Sequence, residues 1–150
     1  MSSPTRNCVI DEDIEIARNM LYDRDVGLVA VKDGKVITTS RERGVRPLVD
    51  VVLRHEQDLT DAVVGDRVVG RASAMLCIYC KAAAVYTPLA SEGAVAELES
   101  AHIPVIAEAT TRSILNRAGT DVCPFEKMTA GLRSPAEVLG ALRSFFGLGQ

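Results

Sequence analysis

An α/β sandwich on a mixed sheet is the fold class this sequence predicts, on three observations. β-Branched runs at 26–31 and 36–39 flank Lys32-Asp33-Gly34-Lys35, and an Asp-Gly pair between two such runs is the strongest short-range hairpin signal. Strand-like segments at 82–86 and 104–107 enclose a helical pattern at 91–101, and strand–helix–strand connections imply parallel neighbours with helices on the sheet faces. The chain has 150 residues, 47% apolar and 25% charged, enough for one buried core without disulfide or metal staples.

The elements follow in order. Residues 1–10 read as a flexible leader and 11–150 as a single domain. Asp11 and Asp13 suit the first turn of a helix whose Ile14, Ala17 and Leu21 share a face. After the hairpin, Pro47 opens a short helix ending near Leu53, because its fixed φ and missing N–H fit a first helical position. A polar break at 58–61 precedes a longer helix expected over 66–80. Ser91 caps the next helix, Thr110 or Thr111 a short one ending near Asn116, and Pro124 and Pro135 each open a further helix.

Composition excludes several function classes. A net charge of −3 gives no general attraction to nucleic acid, which is not expected as a partner. No apolar run reaches the roughly 20 residues of a membrane helix, and residues 1–7 are polar, so neither membrane nor secretion is expected. Four irregularly spaced cysteines do not resemble a disulfide framework, which points to the cytoplasm. Cys77-Ile78-Tyr79-Cys80 lacks a second pair and sits at a helix end, where the dipole opposes thiolate, so it reads as packing.

The segment 40–47, Ser-Arg-Glu-Arg-Gly-Val-Arg-Pro, raises arginines beside a helix start, where an anion would be welcome. This segment, with 31–34, 66–72, Val85-Tyr86 and 116–126, resembles a small family known as domain of unknown function 1893. The layout of hairpin, helix and parallel β-α-β units is similar to the cytidine-deaminase-like fold, an α/β/α three-layer sandwich with a mixed β-sheet. Active zinc deaminases place His or Cys with Glu at one helix start and Pro-Cys-x-x-Cys at the next. Here those stretches read Asp66-Arg67-Val68-Val69-Gly70-Arg71-Ala72-Ser73 and Pro88-Leu89-Ala90-Ser91-Glu92-Gly93, without a thiol or imidazole. The resemblance therefore implies a zinc-free protein with no metal or cofactor.

Candidate residues follow from both readings. Gly44 permits a left-handed turn and Pro47 extends the residue before it, which aims Arg46. Arg43 and Arg46 are candidate anion-binding residues. Asp66, Arg67 and Arg71 fall where deaminases carry their machinery, with Arg67 and Arg71 four apart on one expected helical face; the alternatives are an N-cap and a solvated charged face. Asn116 and Arg117 would add donors. Cys123, just before Pro124, would sit near a positive helix end that favours a nucleophilic thiolate, and Glu126 could carry a proton beside it. Buried packing and a capping box are the plainer alternatives. His55 and His102 belong to no matched segment and are left out of the site.

Three functions stay open at this level. The first is a protein binding a small anionic ligand, a nucleotide or phosphorylated metabolite, through arginine-rich loops. The second is a Cys123-dependent hydrolase or transferase. The third is a structural or partner-binding protein using Leu139, Leu142, Phe145 and Phe146, a face that also suits a homodimer.

Overall fold

The computed structural model describes residues 4–116 and 118–148. Helix α1 (Pro4–Asp23) precedes β1 (Leu28–Lys32) and β2 (Lys35–Ser40), followed by α2 (Arg46–Leu59). Next come β3 (Val63–Asp66), β4 (Val68–Val69), α3 (Arg71–Tyr79), β5 (Ala84–Ser91), α4 (Glu92–Ser100) and β6 (Val105–Thr111). Helices α5 (Pro124–Thr129) and α6 (Pro135–Phe145) complete the order. Among the described residues no helix is long and apolar enough to cross a membrane.

The hairpin forms as expected. Asp33 and Gly34 hold φ of 52° and 79°, the paired left-handed conformations of a tight turn, and β1 runs antiparallel to β2. Helix α1 begins at Pro4, within the stretch read as a leader, so Asp13 is not in a first turn. It is buried inside the helix, and its carboxylate accepts from the backbone N–H groups of Asp33 (3.1 Å) and Gly34 (2.9 Å). An acidic residue read as a helix-start signal is instead the clamp on the hairpin turn.

The expected helix over 66–80 is shorter, beginning at Arg71. The residues before it form β3 and β4. Strand β3 is the hinge of the mixed sheet, antiparallel to β1 and parallel to β5. Its single glycine lets α1 approach, since a Cβ on Gly65 would lie 2.8 Å from Val29 Cγ1 and 3.1 Å from Ala17 Cβ. Parallel β6 lies on the far side of β5, giving the order β2-β1-β3-β5-β6, while β4 pairs with β5 beyond the end of β3. The short helix expected from Thr110 or Thr111 to near Asn116 does not form: β6 runs through Thr111 and gives way to a loop.

Two cores sandwich the sheet. Ala17 and Leu21 of α1 meet Val29, Val31, Val63, Ala84 and Tyr86 on one face. On the other, Val49, Val52, Leu76, Leu98 and Leu142 from α2, α3, α4 and α6 meet Leu28, Ala30, Val64 and Val85. Ser91 caps α4 by accepting from Ala94 N, and Ser134 with Glu137 forms a reciprocal capping box on α6. Leu139 and Leu142 are buried, whereas Phe145 is exposed and stacks edge-on with Phe125 and Phe146, centroids 5.3 and 5.1 Å away. Cys77 and Cys80 are buried, and desolvation pushes both thiols up, Cys80 to about 12, as packing residues require.

Candidate functional site

A cleft of about 670 Å³ opens where β2 and β6 end, where β1 begins, and beyond Asp66 at the end of β3. This is the end of an open α/β sheet at which loops gather. Seven of the nine candidates line it: Arg43, Arg46, Asp66, Arg67, Asn116, Cys123 and Glu126. Arg71 does not, and Arg117 lies outside the described residues. The strand expected over 82–86 runs on, as β5, to Ser91 and leads straight into α4.

The arginines differ in what they have left to offer. Arg43 donates to Asp25 Oδ1 (2.8 Å) and to the Val26 carbonyl (3.3 Å). Arg67 donates to the same Asp25 oxygen (3.0 Å), to Val26 O (2.8 Å) and to Leu21 O. Asp25 takes a φ of 55°, and the Arg43 guanidinium, helped by Arg67, holds its carboxyl below the usual range. These two arginines lock the α1–β1 corner, so their charge is largely answered within the chain.

Arg46 is committed least. Its guanidinium carbon stands 5.5 Å over the Phe146 ring, its Nε is 3.9 Å from Asp50 Oδ2, and half of the side chain is exposed. Arg71, read from sequence as a substrate-facing guanidinium, points away. Its Nε pairs with Glu97 Oε2 at 2.8 Å, and its terminal nitrogens donate to the carbonyls of Thr129 and Leu132. Arg67 and Arg71 share no helical face, because Arg67 precedes the helix.

Asp66 is not an N-cap. It ends β3 with 6% of its surface exposed. Burial pushes its carboxyl up to about 8, against the backbone N–H groups of Val68 and Arg67, which favour the charged form. No side-chain cation among the described residues pairs with it.

Cys123 occupies the N-cap position of α5 without a side-chain capping bond and is partly exposed in the cleft wall. Glu126 does not reach back as a capping box. Its Oε1 accepts from Arg71 N at 2.6 Å, a long-range cap on α3, whose own N-cap Gly70 has no side chain to offer. A Cβ on Gly70 would lie 2.4 Å from that oxygen, so the glycine makes the cap possible. Neither His55 nor His102 lines the cleft.

Asn116 organises the loop at 112–123. Its Oδ1 accepts from Thr120 N (3.0 Å), its Nδ2 donates to Thr120 Oγ1 (3.3 Å), and Leu115 bridges to Val122. The loop thereby folds back as a strap that brings Ile114, Leu115 and Cys123 to the cleft. Sequence reasoning missed the apolar walls Val45, Val68, Leu115 and Phe125 and the hydroxyl of Ser73. Val45, Val68, Ser73, Leu115 and Phe125 all lie within or beside the segments singled out for their charges and thiol.

Over residues 16–146 the chain matches the family model TM1506, described as a domain of unknown function (DUF1893). It is similar to the crystal structure of a DUF1893 family protein, TM1506, from Thermotoga maritima. The TM-score is 0.82 at 24% identity, with 89% of each chain covered. That likeness speaks for the fold alone. No curated protein matches the chain.

Proposed function

This chain belongs to the DUF1893 family, whose description names no activity, and from its cleft we propose that it binds a small ligand bearing an anionic group, a nucleotide or phosphorylated metabolite. The single observation that carries the reading is the convergence of charged and polar side chains in one cleft with apolar walls, the form small-molecule sites take. Arg46 is the guanidinium with donors to spare for the anion. Arg43 and Arg67 supply background positive charge, and their bonds to Asp25 keep the rim rigid.

The fold assignment that goes with this reading is the cytidine-deaminase-like one. It is supported by the antiparallel hairpin at one edge, followed by parallel β3, β5 and β6. The zinc-free part rests on the residues at two helix starts, Gly70-Arg71-Ala72-Ser73 and Ser91-Glu92-Gly93-Ala94. Neither offers a thiol or an imidazole. The cytoplasm suits the free thiols of Cys77, Cys80 and Cys123.

A thermal-shift screen of inorganic phosphate, sugar phosphates and nucleotides tests the proposal. A ligand at 100 times its Kd adds about 2.7 kcal/mol to the folded state. Arg46→Ala should abolish that response while leaving the unliganded melting temperature within about 2 °C, as expected of an exposed side chain. No response to any anion, in wild type and variant alike, counts against it.

A Cys123-dependent enzyme is the second reading, favoured by a partly exposed thiol in the cleft wall. No histidine lines the cleft to serve as its base, and Glu126 is engaged on Arg71 N. Alkylation of Cys123 at pH 7 much faster than free cysteine would favour it over simple binding.

A further inference from the structure

We propose that Asp66 reads a lactam edge, hydrogen-bonding side by side to an amide N–H and C=O on a small heterocyclic ring while Arg46 holds the ligand's anionic group. This inference rests on the preceding reading for the anionic group and goes beyond it by naming what the inner end of the ligand must look like.

The geometry begins with burial. Asp66 ends β3 at the cleft, 6% exposed, and the cation next to it in sequence has turned elsewhere, because Arg67 is spent on Asp25 and two carbonyls. The groups around it are few. Helix α3 brings the buried Cys77 thiol near it, held in its neutral form chiefly by burial, and the backbone N–H groups of Arg67 and Val68 face the carboxyl. Cys123 and Glu126 line the same cleft from α5, and Arg43 from the β2–α2 loop is paired with Asp25. Among the described residues no cation pairs with the carboxyl, and burial outweighs the two N–H groups, so at neutral pH it holds its proton.

A protonated carboxyl presents an O–H donor beside a C=O acceptor. The backbone N–H groups serve acceptor lone pairs only. Among the described residues no acceptor bonds to the O–H, and Asp66 lines the cleft. The group that complements such an edge is an amide with N–H and C=O side by side. A buried polar edge of this kind discriminates strongly, because a ligand lacking the matching group leaves it unpaired. Apolar Val45, Ala72 and Phe125 offer walls for a flat ring.

The test is titration calorimetry on the full chain at pH 6.5 and pH 9. The probes are ribose 5-phosphate, uridine and inosine 5′-monophosphates, and the ring-N-methylated form of each nucleotide. At least one lactam nucleotide should bind tenfold or more tightly than both its N-methylated form and ribose 5-phosphate. In wild type that preference should shrink about tenfold at pH 9, roughly one unit above the Asp66 midpoint. Asp66→Asn offers donor and acceptor at every pH. It should keep the preference and retain only the pH dependence that ionisation of the ring itself brings, which separates the two titrations.

Equal binding of methylated and unmethylated forms overturns the lactam reading, while a ribose 5-phosphate response would leave the anion site standing. A preference that is equally pH-dependent in Asp66→Asn removes Asp66 as the reader. Affinity that rises with pH points to a cationic occupant and also overturns the proposal. Silence from every probe overturns both readings. Should Asp66→Asn fail to fold, the methylated pairs and the wild-type pH comparison still decide.

Discussion

Replacing Arg71 tests whether this arginine is architecture or ligand machinery. Its side chain is 19% exposed and makes three charged hydrogen bonds, to Glu97, Thr129 O and Leu132 O, which tie α3 to α4, to the end of α5 and to the turn that follows it. Hydrogen bonds to charged groups contribute about 1.5–3 kcal/mol each, and breaking a buried pair costs about 3–5 kcal/mol. Glu97 is 33% exposed and water can reach it once the arginine is gone, so the lower end applies. Arg71→Ala should therefore lose about 3 kcal/mol.

Unfolding entropy near 2.1 cal/mol/K per residue amounts to about 0.3 kcal/mol/K for this chain. The loss should thus lower the melting temperature by about 10 °C, read by circular dichroism at pH 7. Arg71→Lys, a point charge that cannot serve three acceptors in a plane, should recover less than half of it. A melting temperature for Arg71→Ala within about 2 °C of wild type would refute the clamp. Loss of phosphate response with stability intact would return Arg71 to the binding site.

Other outcomes follow from single contacts. Asp66, at about 8 when folded and about 3.9 when unfolded, keeps its proton in the native state after the unfolded chain has released it. Native stability therefore falls as pH rises across that window. Asp66→Asn should melt progressively higher than wild type between pH 5 and pH 8, by up to about 1.4 kcal/mol per unit, and a flat difference refutes it. Glu108 accepts from the Tyr22 and Tyr86 hydroxyls and meets Arg18 at 3.4 Å, and these hold its carboxyl below the usual range. Glu108→Gln should lose about 1–2 kcal/mol in pH 7 melts, a deficit that shrinks below about pH 4 as the wild-type carboxylate is protonated. Gly27→Ala would set a Cβ 2.2 Å from the Glu42 carbonyl oxygen, a backbone atom that cannot step aside. Denaturant titration should show a loss above about 2 kcal/mol, and near-wild-type stability would mean that the loop at 41–45 moves freely.

Local interactions made parts of this protein legible without a structure. The Asp33-Gly34 turn, Pro47, Pro124 and Pro135 at helix starts and the Ser91 cap each express a preference that needs only residues three or four positions away. That these candidate segments would gather at one cleft was legible for a related reason. Loops that follow strands in an open α/β sheet end on one side, so 40–47 and 116–126 meet whatever the details between them.

Strand β3 was not legible. Val-Val-Gly-Asp is four residues long, and its identity comes from β1 on one side and β5 on the other rather than from its own propensity. The roles within the site belonged to tertiary structure for the same reason. Whether an arginine is free for a ligand depends on which carboxylate or carbonyl the fold brings to it, and those partners are distant in sequence. Asp25 lies 18 residues from Arg43 and 42 from Arg67, and Glu97 lies 26 from Arg71. Glu126 crosses 55 residues to cap α3. The sequence by itself determined that charge and a thiol would gather at the end of the sheet; packing decided that Arg71 is a clamp, that Arg43 and Arg67 lock a corner, and that Asp66 is buried.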